Sequence, residues 1–150
     1  MKSKQIYQDT KGNCVFVGFD EKGTAKFGAV RTMLTDRKYR GDCKNSDKRY
    51  AFHQIGTDTT RLYVFEAPID LLSHCTLVDQ TYGAGKYKDQ TRLALCGSSD
   101  VALEAFLKRN PQVRCRRMQY FYRQCRKKRN LSLFIAIQQK SSGLDISGKM

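Results

Sequence analysis

The chain has 150 residues, with 28 Lys and Arg against 14 Asp and Glu, six Cys and two Pro; this suits one compact domain or two very small ones and excludes several large ones. At 40% hydrophobic and 28% charged, with eight Phe and eight Tyr, it is not the composition of a disordered chain. The net charge of +14 is local: residues 1–107 carry 16 basic and 13 acidic side chains, net +3, whereas residues 108–150 carry 12 basic and one acidic, net +11.

No stretch approaches the roughly 20 apolar residues that span a bilayer, and the start, MKSKQIYQDTKGN, has no apolar run of signal-peptide length. A soluble, cytoplasmic protein with no membrane partner is therefore expected. Cys14, Cys43, Cys75, Cys96, Cys115 and Cys125 form no C-x-x-C pair, which argues against structural zinc. A disulfide framework does not suit a cytosolic chain, so six reduced, mostly buried thiols are expected.

In chain order, residues 13–33 read as two strand-forming runs around the turn Asp20-Glu21-Lys22-Gly23, the signature of a hairpin. Residues 35–50, TDRKYRGDCKNSDKRY, show neither helical nor strand period and read as a polar loop. Arg61 to Phe65 is a short apolar run, as in a strand buried on both faces of a parallel sheet. Glu66 ends it, and Pro68 suits the first turn of a helix in which Ile69, Leu72 and Cys75 or Thr76 recur at helical spacing. After the loop QTYGAGKYKDQT, a second apolar strand, Leu93 to Cys96, is halted by Gly97. Ser98 and Ser99 can cap a helix that starts near Asp100, carries Val101, Ala102, Ala105 and Phe106, and ends at Lys108 and Arg109. Strands alternating with helices imply right-handed crossovers and a parallel sheet. Residues 112–130 then hold eight Arg and Lys and no acid, Leu131 to Ile137 again reads as a buried strand, and the end reads as a frayed tail.

Glu66 is the most informative acid. A carboxylate at the carboxyl end of a buried parallel strand lies on the edge where open α/β sheets bind ligands, placed to hold Mg²⁺ or to exchange a proton with a phosphate-linked oxygen. Asp70, four residues on, could face the same way; the plainer alternative is a Glu66 ion pair and a solvated first-turn Asp70. Gly83-Ala84-Gly85-Lys86 resembles the end of a phosphate loop, but Tyr87 stands where Ser or Thr should follow, and a flexible basic loop is the better reading. His74 could pair with Asp70, although a satisfied structural histidine is favoured for both His53 and His74. Arg114, Arg116, Arg117 and Arg123, mixed with Tyr120, Phe121 and Tyr122, could neutralise phosphates and stack on bases. Arg40, Lys44, Lys48 and Arg49 form a milder cluster in the polar loop.

The text VFEAPIDLLSH followed by LALCGSSDVALEAFL resembles the Toprim domain of primases, topoisomerases and some nucleases, in its primase-like branch. The upstream VGFDEKGTAKFGAVRT and RGDCKNSDKRYAF resemble the small uncharacterised domain that precedes Toprim in proteins of plasmids and conjugative elements. The resemblance implies a parallel sheet between helices, Glu66 as general acid or base in phosphoryl transfer, and Mg²⁺ held by Glu66 and Asp70 together with an Asp-x-Asp pair after the third strand. That pair is missing: beyond Glu104 the only acid is Asp145. Back-translated one nucleotide out of frame, CRRMQYFYRQCRKKR can read as an apolar strand followed by Asp-Asn and Gly, so the tail is expected to follow a frameshift.

The expected fold is therefore α/β, with a β-rich module over residues 1–58 and, over 59–150, a Toprim-like parallel sheet flanked by helices with a divergent basic C-terminal segment. The expected function is that of a DNA-acting, primase-like Toprim protein of a mobile element, catalytically incomplete. The alternatives are a non-catalytic nucleic-acid-binding protein and an assembly subunit that pairs through residues 131–137.

Overall fold

The computed structural model describes residues 5–34, 39–97, 100–113 and 118–121. Ser98 and Ser99, the basic residues Arg114, Arg116, Arg117 and Arg123, the strand expected over 131–137 and the tail lie outside them.

The first sheet is an antiparallel meander of β1 (Ile6–Gln8), β2 (Cys14–Phe19), β3 (Ala25–Arg31) and β4 (Arg40–Asp42), in that spatial order. Two aspartate turns build it. Asp9 Oδ1 accepts the N–H groups of Lys11 and Asn13, and Asp20 Oδ1 accepts those of Lys22 and Thr24, with Gly12 and Gly23 left-handed at the tips. The expected hairpin is therefore β2–β3. The segment read as a loop instead contains β4 and a 3-10 turn, Lys48–Tyr50. Three residues are too few to show a period, and β4 exists because the edge of β3 is available to pair with it.

The second sheet contains β5 (His53–Gln54), β6 (Asp58–Phe65), β7 (Gln90–Ala94) and β8 (Met118–Phe121), in the order β5-β7-β6-β8. β6 runs parallel to β7 and to β8, while β5 runs antiparallel to β7, so the sheet is mixed rather than wholly parallel. Helix α1 (Pro68–Tyr82) joins β6 to β7, and α2 (Val101–Arg109) follows β7. Successive residues of β6 point to opposite faces. Tyr63 and Phe65 pack with Leu71 and Cys75 of α1, whereas Leu62 and Val64 pack with Ala102, Leu103 and Phe106 of α2. Both faces of β6 are covered, as its unbroken apolar run implied.

The buried stripe of α1 is Pro68, Leu71, Cys75 and Val78; of the expected Ile69, Leu72 and Cys75 or Thr76, Cys75 is buried, Leu72 is half-buried against the same cluster, and Ile69 and Thr76 are exposed. In α2, Val101 is exposed and Leu103 buried. The strand expected at 93–96 starts at Gln90 and stops at Ala94, because Gln90 to Arg92 pair with β6 despite their polarity. Of the four described cysteines, all free, Cys75 is buried and Cys14, Cys43 and Cys96 are half-buried, fewer buried thiols than expected.

The two sheets share one core. Phe16, Phe27 and Ala29 of the meander, with Phe52, belong to the same apolar cluster as Tyr63, Phe65, Leu71 and Ala94. Among the described residues, no helix is long and apolar enough to cross a membrane.

Candidate phosphate site at the sheet edge

β6 leaves its sheet at Phe65, and Glu66 follows immediately. The end of β7 is aligned with it: the Leu95 N–H donates to the Phe65 carbonyl (2.8 Å) and the Gly97 N–H to the Glu66 carbonyl (3.2 Å). Because β7 lies on one side of β6 and β8 on the other, the carboxyl end of β6 is where the strand order reverses, the usual crevice for ligands in such sheets.

A cavity of about 410 Å³ opens at this edge. One wall is Glu66, Ala67, Pro68 and Ile69 with Cys96 and Gly97; the other is the meander, through Phe16, Ala29, Arg31, Arg40 and Asp42, with Lys48. Ala67 caps α1 without a side-chain hydrogen bond, Pro68 at the first helical position has no N–H, and the Asp70 and Leu71 N–H groups donate to the Ala67 carbonyl, so the helix brings the positive end of its dipole to the cavity rather than a row of free N–H groups. Lys48 reaches across from the 3-10 turn: its Nζ is 3.2 Å from Asp42 and lies 3.4 Å from the point where a side chain at Gly97 would begin. Glycine at 97 leaves room for that ammonium.

Cys96 has φ +54°, a left-handed conformation unusual for a non-glycine residue, beside Glu66. Burial pushes its thiol up to about 12, so the sulfur stays protonated and is no nucleophile. The cavity thus offers cations, one helix terminus and one carboxylate without an ion pair among the described residues, an arrangement suited to an oxyanion such as a phosphate.

The structure brings Glu66, Arg40 and Lys48 to one cavity and adds Arg31, which the sequence reading overlooked. Nothing in AVRT marks Arg31; only the strand register does. The other expected residues lie elsewhere. Asp70 is exposed on the first turn of α1 and does not line the cavity. Glu66 precedes the helix cap, so the four-residue helical spacing that would align the two carboxylates does not apply. Lys44 lines a second cavity of about 580 Å³, beside Tyr39 and Lys11. Arg49 is locked onto Asp47, its Nε and Nη2 donating to the carboxylate, and this holds the Asp47 carboxyl below its usual range.

His74 is structural: its Nδ1 accepts from Arg92 Nε at 3.0 Å, and its ring packs against Tyr63 and Phe65. His53 Nδ1 lies 2.8 Å from the Ala51 carbonyl, and burial lowers its pKa. The Gly83–Lys86 loop is pinned rather than free, because the Tyr87 N–H donates to Asp79 Oδ1 (3.0 Å) and the Tyr87 carbonyl accepts from Arg92.

Among the described residues, no three His, Cys, Asp or Glu side chains come together to hold a metal ion. The described residues therefore supply no such cluster for the Mg²⁺ that the resemblance implies.

No curated protein and no solved structure matches the chain. Residues 1–58, where the small uncharacterised module was expected, match the family described as Protein of unknown function (DUF3991).

Proposed function

We propose that this chain is a Toprim-like, nucleic-acid-acting protein of a mobile element that binds a DNA phosphate at the carboxyl edge of β6 and is incomplete for phosphoryl transfer. The observation that carries the reading is Glu66 at the end of a doubly buried parallel strand, in one cavity with Arg31, Arg40, Lys48 and the positive end of α1. The cations and the positive end of α1 attract the phosphate, and Glu66 is the group beside it able to exchange a proton with a phosphate-linked oxygen. A second acidic ligand set is missing from the chain's text and from the described residues, so no metal-dependent step is assigned. The basic segment with Arg114, Arg116, Arg117 and Arg123 adds charge along the same strand of DNA in this reading.

Single-stranded DNA binding measured at 50 and 200 mM salt tests it. With about three phosphate contacts, affinity should fall roughly 20-fold over that range; a flat response overturns the reading. Glu66→Gln should bind DNA two- to threefold more tightly, because a negative charge leaves the neighbourhood of the phosphate, and neither it nor the wild type should nick DNA or synthesise primers with Mg²⁺. Weaker binding by Glu66→Gln would place the phosphate away from this edge.

A further inference from the structure

The register of β3 and β4 sets Arg31 directly opposite Arg40. Like charges across a strand pair oppose the pairing, and β4 has only three residues with which to hold it. The next same-face pair is Ala29 with Asp42, and Asp42 is already bound to Lys48 at 3.2 Å. Neither guanidinium has an ion pair among the described residues, and both are exposed at the rim of the cavity that contains Glu66. An anion between the two forks would turn this repulsion into attraction, with bidentate geometry that matches a phosphate.

The same ribbon carries Met33, exposed at 69%, whereas Leu34 and Tyr39, exposed at 58% and 57%, line the second cavity with Lys44 and not the one rimmed by Arg31 and Arg40. Met33, two residues beyond Arg31, is a large, wet apolar side chain that lines neither cavity. Bases stack on such surfaces only when their faces are free, as in a single strand.

We propose that Arg31 and Arg40 form a clamp for one phosphate of a single-stranded polynucleotide, with a base resting on Met33. Residues 1–58 then supply the cationic half of a site whose carboxylate comes from β6. The clamp rests on the nucleic-acid reading above and names which residues hold the phosphate and which form of nucleic acid they select.

The test uses the full chain with a fluorescent 20-nucleotide oligo-dT strand and a 20-base-pair duplex. Arg31→Gln/Arg40→Gln should lower single-strand affinity about 10-fold at 100 mM salt and flatten the salt slope by about 0.7, the value for one phosphate contact on a single strand. Arg31→Lys/Arg40→Lys, which keeps the charge but loses the fork, should lose about threefold. Lys22→Gln/Lys108→Gln removes the same charge from exposed positions that line neither cavity and should change affinity less than twofold. In phosphate-free buffer the Arg→Gln pair should melt above the wild type, and added inorganic phosphate should raise the melting temperature of the wild type alone.

Wild-type DNA binding untouched by the arginine changes, or weakened equally by the lysine control, overturns the clamp and leaves the nucleic-acid reading standing. Tighter binding of duplex than of single strand overturns the single-strand assignment. Absence of wild-type binding to either DNA overturns the clamp and the nucleic-acid reading together.

Discussion

Arg92 sits in the middle strand of the β5-β7-β6 pairing with no solvent exposure, and four of its five guanidinium N–H groups donate to neutral acceptors. Nε donates to His74 Nδ1, Nη1 to the carbonyls of Tyr87 and Gln90, and Nη2 to Gln90 Oε1 (2.8 Å). Lysine has no planar fork and cannot reach acceptors on both sides, so Arg92→Lys should lose about 2–3 kcal/mol of stability, read from urea denaturation. An unchanged midpoint would mean the hydrogen bonds add nothing beyond burial. The partner histidine makes stability pH-dependent. Burial, and then the Arg92 charge, lower His74 from 6.5 to about 4. Between those values the unfolded chain binds the proton and the folded chain does not, so the contribution of neutral His74 is complete above about pH 6.5 and is lost as pH falls towards 4. His53 is lowered in the same direction, again by burial. The denaturation midpoint should therefore drop between pH 7 and pH 4.5, and His74→Gln, which keeps an acceptor for Arg92, should reduce that drop. Equal pH dependence in the variant would remove His74 as a cause. None of this is legible in TRLALC, where a lone arginine simply shortens the apolar run; its acceptors come from α1, from Tyr87 before β7 and from Gln90 at the start of β7.

At the scale of elements, β2–β3, β6, α1 and α2 are legible because each carries its own signal: an Asp–Gly turn, an apolar run, a proline at the first helical turn, and apolar residues at helical spacing. β1 and β4 are not, since strands of three residues have no period and owe their existence to an edge that accepts them. The packing of the 3-10 turn on β2 is equally silent in sequence. A Cβ at Gly18 would fall 1.7 Å from the Tyr50 carbonyl oxygen, so the strand must be bare there. From the far side Arg109 of α2 clasps the same turn, donating to the Arg49 carbonyl (2.6 Å) and lying 4.3 Å from the centre of the Tyr50 ring. Gly18→Ala should cost about 3 kcal/mol, because backbone on both sides must move. A thermal melt within a degree of the wild type would show that the turn is free to shift.

For the whole molecule, the cluster that joins Phe16, Phe27 and Phe52 to Tyr63, Phe65 and Leu71 makes the meander and the mixed sheet interdependent. Phe52 also packs edge-on against Phe16 at 5.7 Å, and its carbonyl accepts the Ala94 N–H at 2.9 Å. Phe52→Ala should destabilise the chain by about 3–5 kcal/mol and lower far-ultraviolet circular dichroism and tyrosine fluorescence transitions together. Separate transitions would mean that the two sheets fold independently. The local patterns of the sequence alone determined the alternation of strands and helices, the apolar β6 ended by Glu66, and the excess charge after residue 107, because each is written in neighbouring residues. Only the tertiary structure decided which charges meet. Asp70 and Lys44 fall outside the cavity that Glu66 lines, whereas Arg31, Arg40 and Lys48 line it too, since strand register and the seating of one sheet on the other are set by contacts between residues distant in the chain.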